Sequence, residues 1–203
     1  MEKQVYVNRL IGISNKRFKT FLQPINPYRI GLKKWVRGSC LEVGCGIGRN
    51  LGYLNNPDNL GIDLNEHAVS KSRSLGHQAI TTEHFESRRA DLPKFDNLLF
   101  SHVLEHMDYA SAVKLIESYL PALNESGAIC IICPQERGFA SDPTHVEFMN
   151  IEKLTSVIKE CGLVVHRSFS YPLPRLFGRL FIYNEFVMIV GKTGALVPDS
   201  TKS

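Results

Sequence analysis

The chain has 203 residues, of which 43% are hydrophobic, and a net charge of +4, which suits one globular domain with a substantial core. It contains no run of about 18 apolar residues, so we expect no transmembrane helix. Its first residues, "MEKQVYVNRL", lack the apolar segment and cleavage site of a secretory signal. We therefore expect a cytoplasmic location.

The positive charge is concentrated in the first part of the sequence. Residues 1–38 contain nine Lys or Arg and one acid, whereas acids outnumber bases in the remainder. Apolar residues recur at helical spacing between residues 7 and 25, which predicts an amphipathic helix with a basic side. We interpret residues 1–38 as a basic helical arm that acts either as a lid or as a membrane-facing surface.

The cysteines predict reduced thiols in the core rather than a metal site. Five cysteines are present, an odd number, and most have apolar neighbours. Cys130 and Cys133 lie in "GAICIIC", which is strand-like, so their side chains should point to opposite faces of a sheet. No second cysteine pair is available to complete a zinc site. We predict no metal site from this sequence.

Strand-like and helix-like segments alternate from Ser39 onwards. Asn65 and Asn150 are placed to cap helices, and Gly76 and Gly162 to end them. Helices are predicted at residues 48–55, 65–76, 109–120 and 150–162. Strands are predicted at residues 40–43, 59–63, 77–81, 94–101, 127–133, 163–170 and 183–191.

This alternation predicts an α/β fold, a doubly wound and mainly parallel seven-stranded sheet with helices on both faces. No helix separates the last two strands, so they should form a hairpin in which the last strand is antiparallel. Residues 39–191 form the predicted domain, and residues 192–203 a flexible tail. Ligands of such sheets bind beyond the carboxyl ends of the strands.

The segment "LEVGCGIGRN", residues 41–50, spans the predicted carboxyl end of the first strand, where such a ligand would bind. Gly44, Gly46 and Gly48 are spaced two residues apart. Glycines at these positions allow a tight turn and a close approach of the backbone to a ligand. The dinucleotide pattern G-x-G-x-x-G fails because Arg49 occupies its last position. Asp63, 19 residues after Gly44, ends the second strand and is placed to accept hydrogen bonds from ribose hydroxyls.

Four segments together, "LEVGCGIGRN", "LGIDLN", "ADLP" and "FDNLLFSHVLEHM", resemble the successive motifs of class I S-adenosylmethionine-dependent methyltransferases. The resemblance covers about residues 39–191 and implies a Rossmann-like fold with S-adenosylmethionine as cofactor. It implies that the glycine turn contacts the methionine part of the cofactor and that the end of the second strand contacts the ribose and the adenine. It also implies that "ADLP" contacts the adenine and that the end of the fourth strand lies near the sulfonium. The residues so implied are Glu42, Gly44, Cys45, Gly46, Asp63, Leu64, Asp91, Leu92, Ser101 and His102.

Methyl transfer from a sulfonium is a direct displacement, so a protein base is needed only where the acceptor must lose a proton. Histidine suits that task near neutral pH. His145, in the long loop after the fifth strand, is our first choice of base or acceptor-binding residue. His102, Glu105 and His106, in "SHVLEHM", are further catalytic candidates.

The acceptor is predicted to be a small molecule, a glycan or a lipid, methylated on oxygen or nitrogen. Methyltransferases that act on amino groups of bases carry a D/N-P-P-Y/F/W element after the fourth strand, where this chain has "FSHVLEH", so we expect no nucleic-acid partner. Residues 172–182 interleave arginines with large apolar residues. Together with residues 1–38, this segment is predicted either to cover the site or to contact anionic membranes.

Two alternatives remain from the sequence. A cofactor-binding module without catalysis, recruited to a partner or membrane by its basic arm, would retain the same binding residues. A nicotinamide-dependent reductase is disfavoured by Arg49 and by the predicted terminal hairpin.

Overall fold

The computed structural model describes residues 26–192. The helix predicted between residues 7 and 25, and all of the predicted tail except its first residue, lie outside the described part of the chain. Within residues 26–192, no helix combines the length and apolar composition needed to cross a bilayer.

Seven strands form a single sheet, as predicted. The strands are β1 (Cys40–Val43), β2 (Leu60–Asp63), β3 (Ala79–Thr81), β4 (Phe95–Ser101), β5 (Leu123–Pro134), β6 (Leu163–Tyr171) and β7 (Glu185–Lys192). Their order is β3-β2-β1-β4-β5-β7-β6. The first five are parallel to one another. β7 is antiparallel to both β5 and β6, which confirms the predicted terminal hairpin.

Six of the seven described α-helices lie between strands, and the first precedes β1. Asn65 and Asn150 cap helices as predicted, because their side chains accept hydrogen bonds from the backbone N–H groups of His67 and Lys153 at 3.0 and 2.8 Å. The helices described are α1 (Pro27–Trp35), α2 (Arg49–Leu54), α3 (Glu66–Ser74), α4 (Thr82–Arg88), α5 (Tyr109–Tyr119), α6 (Glu136–Phe139) and α7 (Ile151–Glu160). Short 3-10 turns occupy Arg89–Asp91, Leu104–His106, Leu120–Ala122 and Arg175–Arg179.

Hydrophobic cores cover both faces of the sheet. On one face, helices α5 and α7 bury Ile116 and Leu154 against the strands. On the other face, α1 buries Leu32, so this part of the predicted arm packs on the domain. Cys130 and Cys133 lie in the two different cores, on opposite faces as predicted, and all five cysteines are free. Each fully buried large aliphatic side chain contributes about 1.5–3 kcal/mol.

Candidate functional site

The carboxyl ends of β1, β2, β4 and β5 lie on the same side of the sheet because these strands are parallel. β7 runs the other way, and its first residue, Glu185, pairs with Pro134 at the end of β5. The start of β7 therefore reaches the same side. We call this side of the sheet the strand-end site.

The glycine turn that follows β1 has a backbone that other residues rarely adopt. Gly44, Gly46 and Gly48 have φ angles of 74°, 54° and 80°, in the left-handed region that favours glycine. A Cβ atom at Gly44 would lie 2.6 Å from Val103 Cγ2. The backbone N–H groups of Gly44 and Cys45 donate to the Ile62 carbonyl at 2.8 and 2.9 Å, which fixes the turn against β2.

Glu42 is buried inside β1, beneath this turn. Its Oε1 accepts a hydrogen bond from Asn50 Nδ2 at 2.6 Å. Glu42 Oε2 and Asn50 Oδ1 are buried and have no hydrogen-bond partner. Burial raises the pKa of Glu42 to about 8. When Glu42 is ionised, its Oε2 and Asn50 Oδ1 are two buried acceptors without donors, which fit an ammonium group such as that of a methionine moiety.

Asp63 ends β2 with its carboxylate turned toward the glycine turn. Its two oxygens accept hydrogen bonds from the backbone N–H groups of Gly46 and Asn65, each at 2.8 Å. Burial raises the pKa of Asp63 above its ordinary value. A carboxylate has about four acceptor positions, so capacity remains for ribose hydroxyls. The adjacent Leu64 is 84% exposed and offers an apolar surface to an adenine ring.

Asp91 and Leu92 are not brought together with these residues. Asp91 is exposed in the 3-10 turn that precedes β4, at the amino end of that strand. Leu92 packs against the core beside it. An adenine contact from this pair requires the carboxyl ends of the strands, so the structure does not support their predicted role. β3, whose carboxyl end lies beside Asp63, is the strand that approaches that region.

Tyr28 and Ser101 connect α1 to the end of β4. The Tyr28 hydroxyl lies 2.7 Å from Ser101 Oγ, and burial raises the pKa of Tyr28 well above its ordinary value. Ser101 was predicted from the sequence, whereas Tyr28 was not. The one local signal is Asn26 followed by Pro27, a typical helix start, which predicts a helix but not its contact.

His102 follows β4 and lies between two carboxylates. Its Nδ1 is 3.2 Å from Glu105 Oε1, and its Nε2 is 2.8 Å from Glu185 Oε1. Burial lowers the pKa of His102, but the carboxylates of Glu185 and Glu105 outweigh burial and raise it to about 10. Both ring nitrogens of His102 therefore face carboxylate oxygens, which favours the protonated ring and a role in holding these carboxylates. Its role as a catalytic base stays a prediction.

Glu185 is a residue of this site that the sequence reasoning missed. It starts β7 and is buried. The antiparallel direction predicted for the last strand was the available signal, because it brings the first residue of that strand to the strand-end site.

His106 and His145 lie side by side, with ring centroids 4.9 Å apart. His145 stacks on Phe139 at 5.1 Å. Its Nδ1 lies 2.7 Å from the Phe139 carbonyl oxygen, and His106 Nδ1 lies 3.1 Å from the Thr144 carbonyl oxygen. The structure therefore brings together the histidines that the sequence placed after the fourth and fifth strands, next to Glu105.

Known proteins share this architecture. A family model described as a methyltransferase domain matches residues 15–168, whereas no curated protein matches the chain. A SAM-dependent methyltransferase from Archaeoglobus fulgidus is 20% identical, with a TM-score of 0.63 over 86% of this chain and 93% of that one. A TehB-like SAM-dependent methyltransferase from Corynebacterium glutamicum is 16% identical, with a TM-score of 0.63 over 94% and 98%. The plantazolicin methyltransferase BpumL, in complex with SAH, is 16% identical, with a TM-score of 0.58 over 92% and 89%.

The sheet order and the glycine turn define the fold of class I S-adenosylmethionine-dependent methyltransferases, as the resemblance implied. The family model covers most of the chain. The protein therefore belongs to the methyltransferase-domain family.

Proposed function

We propose that the protein transfers a methyl group from S-adenosylmethionine to an oxygen or nitrogen atom of a small molecule, a glycan or a lipid-linked intermediate. One observation carries the proposal. The glycine turn, with the buried acids Glu42 and Asp63, lies on the same side of the sheet as the cluster of Glu105, His106 and His145. Their common side of the sheet supports a site with a cofactor-binding half and an acceptor-binding half.

In the cofactor half, Glu42 and Asn50 receive the amino group of the methionine part, and Asp63 receives the ribose hydroxyls. Leu64 packs against the adenine. The bound cofactor supplies an activated methyl group on a positively charged sulfur. The protein contributes alignment and the exclusion of water, which are the main requirements of a displacement at an activated donor.

In the acceptor half, His145 contacts the acceptor as a base or as a binding group. Its Nδ1 is 2.7 Å from the Phe139 carbonyl, which makes Nδ1 the donor and leaves Nε2 with a free lone pair. His102 holds Glu105 in place from the opposite side.

Motifs and neighbours support the proposed acceptor class. The chain lacks the element that base-specific amino methyltransferases carry after the fourth strand. One structural neighbour is named as a methyltransferase of plantazolicin, which supports an acceptor outside the nucleic acids. The family match makes a nicotinamide-dependent reductase the weaker alternative.

Methyl transfer is tested by incubating the protein with S-adenosylmethionine and fractionated metabolite and lipid extracts, then screening by mass spectrometry for compounds that gain one methyl group. We expect a methylated product whose formation falls about 100-fold or more in His145→Asn. His84→Asn, which changes an exposed histidine of α4, is the control and should retain activity. Cofactor binding without any methylated product would favour a non-catalytic binding module.

We further propose that residues 172–182 contact anionic membranes. Leu176 and Leu180 are 83% and 77% exposed, next to Arg175 and Arg179. The loop is held at its base by the buried Asn184, whose Oδ1 accepts from the Leu173 N–H at 2.9 Å and whose Nδ2 donates to Gln135 Oε1 at 3.0 Å. Arg175 is ion-paired with Glu136, and a fixed loop that presents leucines beside Arg179 suits a lipid interface. The basic residues among 1–38 would add to this attraction.

A further inference from the structure

Three side chains of the acceptor half have the composition of a metal site. Glu105 and His106 lie in the 3-10 turn after β4, and His145 lies in the loop after α6. One potential ligand atom from each of the three lies within 4.8 Å of the others. Two imidazole nitrogens and one carboxylate oxygen form a ligand set typical of catalytic zinc and related divalent transition-metal ions.

Hydrogen bonds to both rings select the nitrogen that remains available. His106 Nδ1 lies 3.1 Å from the Thr144 carbonyl oxygen and His145 Nδ1 lies 2.7 Å from the Phe139 carbonyl oxygen. A carbonyl only accepts, so each Nδ1 donates and each Nε2 keeps its lone pair. Donation of the second ring N–H to a backbone carbonyl is the usual support of a metal-binding histidine.

Glu105 provides an independent observation. Its side chain is fully buried, and although Oε1 lies 3.2 Å from His102 Nδ1, Oε2 has no hydrogen-bond partner. A buried acceptor without a partner is costly, and a cation would satisfy it. His102 in this arrangement is a positioning residue, since it holds the carboxylate from the other side.

Backbone hydrogen bonds join the two segments that carry these three residues. The N–H groups of Val146 and Glu147 donate to the Glu105 carbonyl at 2.8 and 3.2 Å. The loop that carries His145 is thereby tied directly to the turn that carries Glu105. The ligand set is therefore supported by both side-chain and backbone contacts, as an organised metal site requires.

We propose that Glu105, His106 and His145 bind one divalent transition-metal ion of the zinc type, which in turn binds a hydroxyl oxygen of the acceptor. This inference rests on the proposed function, narrows the acceptor to hydroxyl-bearing compounds and gives His145 a binding role through the ion in place of the role of base. Coordination lowers the pKa of the hydroxyl, and its proton leaves to solvent. The oxygen then forms a bond to the methyl carbon as the carbon–sulfur bond breaks, and the sulfur leaves as a neutral thioether. No cysteine belongs to this site, so the cysteine pattern from which we expected no metal gives no signal for it.

The test uses the full chain, free of any affinity tag and stripped of metal with a chelator. Co²⁺ is titrated while visible absorption is recorded, and Zn²⁺ binding is measured by calorimetry. We expect one ion per chain, with affinity lowered at least tenfold in His106→Asn and in His145→Asn and unchanged in His84→Asn. Both site histidines are partly or fully exposed, so the variants should fold, which circular dichroism checks.

Binding of the cofactor product, S-adenosylhomocysteine, is measured on the same samples. Loss of metal binding with retained S-adenosylhomocysteine binding in the two site variants supports the inference. The inference is overturned if the wild type and the three variants bind the metal with equal affinity, or if the folded wild type binds no metal. Failure of the wild type to bind S-adenosylhomocysteine would instead overturn the proposed function, whatever the metal result.

Discussion

Glu42 is a carboxyl group placed in a strand interior, where an apolar side chain is usual. Burial raises its pKa to about 8, from an ordinary value of 4.5. The folded state therefore holds a proton on Glu42 that the unfolded state releases between these two pH values. Stability should fall as pH rises through this interval, by at most about 1.4 kcal/mol per pH unit from this group.

Replacing Glu42 by Gln removes this titration. The free energy of unfolding, measured with urea at pH 5, 6.5 and 8, should decrease less with rising pH in Glu42→Gln than in the wild type, because an amide has no proton to release. Glu152→Gln alters an exposed glutamate of α7. In this variant the free energy of unfolding should depend on pH as it does in the wild type. Identical slopes in all three proteins would show that Glu42 does not titrate in this interval.

The positions of single residues at the strand-end site could be predicted from the sequence where a spacing defined them. The glycine turn, which directly follows β1, and Asp63, which ends β2, are examples. Asp91 is the opposite case. An acid before Leu-Pro gave no information on which end of the neighbouring strand it occupies, and the structure puts it at the amino end. Asn50 is a further case, because nothing in its sequence surroundings shows that it is buried against Glu42.

At the scale of elements, periodicity and capping predicted most strands and the longer helices. β1 has the predicted bounds, and the helix after Asn150 begins where predicted. Helix α4 was missed because Phe85 is its one buried residue, so it has no apolar stripe. β5 begins four residues earlier than predicted, at Leu123, since the polar "NES" within it does not resemble a buried strand.

The loop of residues 172–182 is the element whose proposed role depends on exposed side chains. Replacing Leu176 and Leu180 by Ser should weaken sedimentation with vesicles of anionic phospholipid, because about 25 cal/mol is lost for each Å² of apolar surface no longer buried in the lipid. Leu75→Ser, at another exposed leucine, is the matched control. Wild-type binding that is absent, or unchanged in the double variant, would contradict membrane contact through this loop.

At the scale of the whole molecule, the sheet order creates the site. Tyr28 and Ser101 are 73 positions apart, and His102 and Glu185 are 83 apart, yet each pair is in contact. No local pattern links such residues. The sequence could predict that the strand ends converge. It could not predict which side chains come into contact there, because these contacts depend on strand register and on the packing of α1 and β7.

The central claim is that this strand-end site binds S-adenosylmethionine for methyl transfer, and calorimetry with S-adenosylhomocysteine tests it most directly. The wild type should bind one molecule per chain, and Asp63→Ala should lower the affinity about tenfold or more, because hydrogen bonds from ribose hydroxyls to a carboxylate are lost. Asp58→Ala, at an exposed aspartate before β2, should bind as the wild type does. No binding by the folded wild type, or equal affinity in Asp63→Ala, would contradict the account.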